Sequence, residues 1–133
     1  MNLIDQLGGY EKIRPHLILT DSHAGYTHIC LYGNHYGFLD ERVDYIIPDR
    51  AISIKLAIAA LLEYRRANNI FEMDDYIIHD GELKVFAMWS TAIEGCAYIG
   101  YAYAEDGEMA DKDEFRHATD EEIEAGKRLG GAA

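Results

Sequence analysis

The chain is poor in the residues that announce a chemistry or a compartment. Its 133 residues include two cysteines, Cys30 and Cys96, and two prolines, Pro15 and Pro48. One disulfide between these two distant thiols is possible, but with no secretory leader evident both are expected to be reduced and mostly buried. The longest apolar run, Leu56 to Leu62, falls far short of the ~20 residues that a membrane-spanning helix needs. Met1-Asn2-Leu3-Ile4-Asp5 lacks the basic and apolar regions of a secretory leader. Cations are scarce as well: 12 Lys and Arg stand against 24 Asp and Glu, for a net charge of −12. So acidic a surface repels phosphates, which argues against direct binding of nucleic acid or anionic membrane. A cytoplasmic chain is expected.

Catalytic signatures are missing too. There is no Gly-x-Ser-x-Gly, Gly8-Gly9 is not followed by Lys-Ser or Lys-Thr, and Gly95 and Gly100 fit neither nucleotide fingerprint. What the chain does have is enough apolar residue (49%) to build a core. Its length suits a single domain, 1–133, made of an irregular segment 1–48, a central helix 50–67 and a module over 70–129.

Local patterning predicts the elements. Leu3, Ile4 and Leu7, then Tyr10, Ile13, Leu17 and Ile18, form two short apolar faces broken by Gly8-Gly9, so two short helices are expected. Tyr26 to Tyr32 alternates as a half-buried strand, and Val43 to Ile47 reads as a second. Asp49 is placed to cap a helix over 50–67, whose polar residues Lys55, Glu63 and Arg66 occupy a thin sector. A helix so largely apolar should be surrounded by other elements. Asn68-Asn69 can end it in the left-handed conformation.

Beyond it, strands over 76–79, 83–89 and 96–104 are predicted, the first two joined by Asp80-Gly81, a strong type I′ hairpin signal. Thr119-Asp120-Glu121-Glu122 has the form of a capping box, opening a helix to about Leu129 that Gly130-Gly131 should stop. The fold class expected is α+β: a small antiparallel sheet or partly open barrel packed on one central buried helix, with short terminal helices.

Three groups of side chains are candidates for function. The first is the early histidines, His16, His23, His28 and His35, near Asp21 and Cys30. A transition metal needs three or four such ligands converging at about 2.0–2.3 Å, and this spacing matches no known zinc pattern. A second cluster, Asp74, Asp75, His79, Asp80 and Glu82, reads as turn chemistry rather than acid–base machinery. The third feature is ten tyrosines, of which Tyr26, Tyr32 and Tyr36 flank a His- and Gly-rich loop and Tyr98, Tyr101 and Tyr103 share one predicted strand. Tyrosine joins a large apolar face to a polar tip, which suits interfaces.

The acidity is local. Ten carboxylates and two bases fall between Glu105 and Glu124. Asp120, Glu121 and Glu122 belong to a helix start, where the backbone dipole favours them. Glu105, Asp106, Glu108, Asp111, Asp113 and Glu114 have no such local reason and are the candidate partner-binding residues, expected in a solvated loop.

Two segments carry a family resemblance. Leu61-Leu62-Glu63-Tyr64-Arg65-Arg66-Ala67-Asn68-Asn69-Ile70-Phe71-Glu72 is one, and the run from Glu114 through His117-Ala118-Thr119-Asp120-Glu121-Glu122-Ile123 to Leu129 is the other. They resemble segments of small accessory proteins of tailed phages and prophages. In those, a strand of the form Phe-x-Val-Gly-Asp-x-Val opens a small β-barrel. Here it reads Phe71-Glu72-Met73-Asp74-Asp75-Tyr76-Ile77, with Asp74 where glycine is expected. The similarity spans about 60–129 and implies an interaction module with no catalytic residues.

The expectation is therefore a non-enzymatic accessory protein that binds a host protein with a basic surface through its acidic, tyrosine-rich side. Inhibition of a nucleic-acid-handling or defence complex is its specific form. An alternative is a small-molecule or nucleotide-binding protein using Tyr26, His28, Tyr32, His35 and Tyr36. A second is a small metal-dependent hydrolase built on the early histidines. No cofactor, metal or catalytic residue is assigned, and a homo-oligomer through a strand edge is compatible with the sequence.

Overall fold

The computed structural model describes residues 2–102 and 106–132, with side chains as far as Gly126. The chain is α+β, with two antiparallel sheets, and divides into two units, Met1–Asn68 and Asn69–Ala133. Neither sheet closes into a barrel: β2 and β3 are the edges of the first, β7 and β8 those of the second.

In the first unit α1 (Leu3–Gln6) is capped by Asn2, whose side chain accepts the Asp5 N–H at 2.9 Å. Gly8 and Gly9, at φ 92° and 99°, turn the chain into α2 (Tyr10–Leu17), giving the two short helices expected. β1 (His28–Tyr32) and β2 (His35–Leu39) form a hairpin, and β3 (Ile52–Ser53) pairs on the other side of β1, with Ile29 opposite Ile52. α3 (Ile54–Asn68) follows at once, and Asn69 ends it at φ 54°.

Two expectations fail here. The helix starts at Ile54 and not after Asp49, because Ile52 and Ser53 are drawn into the ladder with β1 and the Ile54 N–H bonds to the Thr27 carbonyl. Nor is it surrounded. It buries one stripe, Ile54, Ala57, Leu61 and Arg65, and leaves Leu56 and Ile58 exposed. Its thin polar sector was a poor guide, since an apolar side chain on a helix surface costs little.

The strand predicted over 43–47 is also absent. The Asp40 carbonyl accepts the N–H groups of Val43 and Asp44, closing a turn, and Val43, Tyr45 and Ile46 stand exposed beyond it. Apolar β-branched residues without a partner strand make no sheet.

The second unit contains β4 (Tyr76–His79), β5 (Glu82–Trp89), β6 (Cys96–Gly100), β7 (Gly107–Asp111), β8 (Phe115–His117) and α4 (Asp120–Ala132), with strand order β7-β6-β5-β4-β8. Asp80 and Gly81, at φ 53° and 76°, make the predicted hairpin turn. Phe71, Ile77, Phe86, Ala97, Ile99, Ala110 and Phe115 form the core against one face of the sheet, with Phe71 set edge-on to Phe115 at 5.0 Å between centroids.

The capping box is formed in both directions: Thr119 Oγ1 accepts the Glu122 N–H, and the Glu122 carboxylate accepts the Thr119 N–H at 2.9 Å. α4 runs on to Ala132, through the glycines expected to stop it. It lies over Leu83 of β5 so closely that a Cβ on Gly126 would stand 2.4 Å from Leu83 Cδ2. Of the segment expected as an acidic loop, Gly107–Asp111 is instead the edge strand β7, and a turn leads on into β8; Glu105 lies outside the described residues.

Candidate functional site

The five aromatic and histidine candidates of the first unit do not converge. Tyr26 and His28 line a cleft of about 360 Å³ with Glu41, Ser53 and Lys55, where His28 Nδ1 bonds to Thr27 Oγ1 at 2.8 Å. Tyr32 and Tyr36 lie on opposite faces of the hairpin, because antiparallel register pairs Leu31 with Tyr36 and Tyr32 with His35. Tyr32 lies across Gly37 of the neighbouring strand, where an added Cβ would meet its ring at 2.7 Å, and the Arg50 guanidinium sits 4.7 Å over that ring. Its hydroxyl is held above the usual phenol range, chiefly by a hydrogen bond with the Cys30 side chain.

Tyr36 donates its hydroxyl proton to the Leu7 carbonyl and packs on His16, and burial pushes its pKa up. Tyr32 and Tyr36 are thus structural rather than parts of one pocket, and His35 stands exposed at the hairpin end. Among the described residues no three His, Cys, Asp or Glu side chains stand close enough to hold a metal. Cys30 and Cys96 are both free thiols.

The acidic candidates form a surface, but one with internal commitments that the sequence did not reveal. Glu108, on the edge strand, reaches Lys84 Nζ at 2.7 Å. Lys84 is only 6% exposed and stands 2.8 Å from His79 Nδ1, itself 3.2 Å from the same Glu108 oxygen. The hydrogen bond from Lys84 is the main reason that Glu108 titrates below the usual carboxylate range. Next to this group the Tyr101 hydroxyl donates to Glu82, and Lys84 Nζ lies 5.3 Å from the Tyr101 ring centre.

An ammonium paired with a carboxylate is not a nucleophile. Its position makes it a strut that ties β7 to β5 across β6. The signal for it is the phase of β5: Lys84 falls two residues before buried Phe86 and opposite buried Ile77, a core position occupied by a charge.

Glu114 Oε1 accepts the Asp111 N–H at 2.8 Å, and Asp111 Oδ1 accepts the Asp113 N–H at 3.0 Å, so both acids shape the turn after β7. Asp106 and Asp113 are exposed beside them. Glu105, named with this group, and Tyr103 lie outside the described residues.

Next to these carboxylates is an apolar feature that single-strand patterning could not reveal. Met88 of β5 is opposite Tyr98 of β6, and Tyr98 is opposite Met109 of β7. The three side chains make one row across the sheet on the face away from the core, and they are 52%, 42% and 41% exposed. A row of this kind belongs to an interface more often than to open water. α4 covers Leu83 on the same face at Gly126, while Met88, Tyr98 and Met109 stay exposed.

Among the described residues no helix is long and apolar enough to cross a membrane. Comparison with protein-family models, with curated proteins and with solved structures finds no match to this chain.

Proposed function

We propose that this chain is a protein-binding module, not an enzyme, and that its partner is a protein with a basic surface. The observation that supports this most is the coincidence on one sheet edge of Asp106, Glu108, Asp111, Asp113 and Glu114 with the exposed row Met88–Tyr98–Met109. Apolar contact area supplies affinity, and the carboxylates beside it steer and select a cationic partner. The specific form of the proposal is an accessory protein of phage type that occupies the basic groove of a nucleic-acid-handling or defence complex. It draws on the net charge of −12 and the resemblance over 60–129.

The test is affinity capture from host-cell extract with the tagged chain, at low and at high salt, compared with a variant carrying Asp106→Asn, Asp111→Asn and Asp113→Asn. Glu108 and Glu114 are left in place because both hold backbone or strand geometry. The expected result is a partner recovered at low salt by the wild type and lost in the variant and at high salt. Recovery indifferent to both changes would sink the electrostatic reading.

A further inference from the structure

The manner of binding can be read from β7. It pairs with β6 on one side, and no described strand pairs with it on the other. Antiparallel ladders bond through alternate residues, and the bond from the Lys112 N–H to the Gly95 carbonyl fixes the phase. Residues 108 and 110 therefore bond to β6, while the N–H and C=O groups of Gly107, Met109 and Asp111 point away from the sheet. Glu114 already takes the Asp111 N–H, closing that end of the edge. Among the described residues Gly107 and Met109 remain as an open template. Of the usual guards of an edge, β7 has only the charges of Glu108 and Asp111; it contains no lysine, no proline and no register shift against β6.

We propose that β7 accepts an added strand. The occupant is an extended segment of a partner protein in which Lys or Arg alternates with apolar residues. The inference rests on the protein-binding reading above. A residue placed opposite Met109 would extend the row Met88–Tyr98–Met109 by one more apolar side chain on the same face. Its basic neighbours would turn to the opposite face, beside Glu108 and, along the strand, toward Asp106, while Asp111 stands on the Met109 face. A second copy of this chain is a poor occupant, because pairing β7 with β7 would set Glu108 and Asp111 among their own like charges. The acids that discourage self-association thus select a cationic strand in its place.

The test uses the full chain and two ten-residue peptides, one alternating lysine with valine and one identical but N-methylated at every valine. Methylation leaves charge and side chains alone but removes the N–H groups that would bond to the Met109 and Gly107 carbonyls. The variant Met109→Pro removes the outward N–H from the protein side and leaves the β6 ladder intact, since proline is tolerated where the N–H faces solvent.

The plain peptide is expected to bind the wild type and to shift the Gly107 and Met109 amide resonances. Methylation of the peptide should weaken binding about tenfold or more, as expected for the loss of two hydrogen bonds, and proline at 109, which removes one, should weaken it about fivefold. If Met109→Pro does not fold, the two peptides against the wild type decide alone.

Equal, salt-sensitive binding of both peptides overturns strand addition and leaves the electrostatic reading standing. Failure of the plain peptide to bind also overturns strand addition, while the affinity capture with the three Asp→Asn changes judges the wider reading separately. A wild type that sediments as a dimer, and as a monomer once Met109 is proline, assigns the edge to a second copy and overturns it too.

Discussion

Single residues carry several conformational decisions in this chain, and Asp74 is the sharpest. It stands where the resembling strand pattern has glycine, and its backbone adopts φ 71°, the left-handed region in which glycine is at ease. The N–H of Asp74 bonds to the Phe86 carbonyl at 2.8 Å and that of Phe86 to the Asp75 carbonyl at 2.9 Å, so the conformation is locked to β5. Aspartate is among the few L residues that enter this region at modest cost, and a β-branched residue is not. Asp74→Val should therefore destabilise the protein by about 1–3 kcal/mol, whereas Asp74→Gly should be neutral or stabilise it by up to about 1 kcal/mol. Urea unfolding midpoints of the two variants check this, and a Gly variant less stable than the Val variant would contradict it.

Lys84 shows a different lesson at the same scale. The phase of β5 puts Lys84 at a core position, but its partners Glu108 and His79 come from strands that meet it only in the folded sheet.

At the scale of elements, packing decides where helices begin and how closely they lie. α3 loses its expected first turn to β3 because a sheet partner was available to Ile52. α4 approaches β5 at Gly126, with Leu83 carbons where a side chain would be. Glycine inside a helix ordinarily costs about 1 kcal/mol relative to alanine, so Gly126→Ala would stabilise an isolated helix. Here the added methyl must displace Leu83, at contacts of 2.4, 2.8 and 3.1 Å, and overpacking of that kind costs about 1–3 kcal/mol. Gly126→Ala should thus lower the melting temperature, and Leu83→Ala should be less harmful in its presence than alone. A double-mutant cycle on thermal unfolding measures the coupling, and additive effects would refute the close packing.

At the scale of the whole molecule, charge sets how stability varies with pH. Glu122 is lowered to about 2, first by its hydrogen bonds from Arg116 and then by the Thr119 N–H. Asp40 is lowered by Arg42 and Glu108 by Lys84. A carboxylate lowered in the folded state takes up its proton first in the unfolded chain. Its stabilisation is therefore complete above the ordinary carboxylate range and lost as pH falls from about 5 toward 2. Self-repulsion acts the same way at the acid end: it is least near the pI of about 4.7 and returns below it, as Lys, Arg and His lose their counter-charges. Melting temperature should fall steeply below about pH 4. Glu122→Gln should lose about 1 kcal/mol at pH 7, after allowance for solvent screening, and show a shallower acid slope. Thermal melts from pH 7 to 2.5 test both, and parallel slopes for variant and wild type would contradict the assignment.

The local features were legible because their causes are local. The Asp80-Gly81 turn, the Thr119–Glu122 capping box, the break at Gly8-Gly9 and the end of α3 at Asn69 each follow from a few adjacent residues and their backbone preferences. These features, the α+β class and the concentration of acid between Glu105 and Glu124 all follow from residues close together in the chain. It took the folded sheet to set Asp106, Glu108 and Asp111 at a strand edge, to turn Glu108 to a buried lysine, and to stand Met88, Tyr98 and Met109 in one row. Those facts depend on register between strands distant in the chain, and register is a property of pairing, which no single strand's pattern contains. Tyr32 and Tyr36 were separated for the same reason, since neighbours in sequence are sorted to opposite faces once β1 and β2 pair.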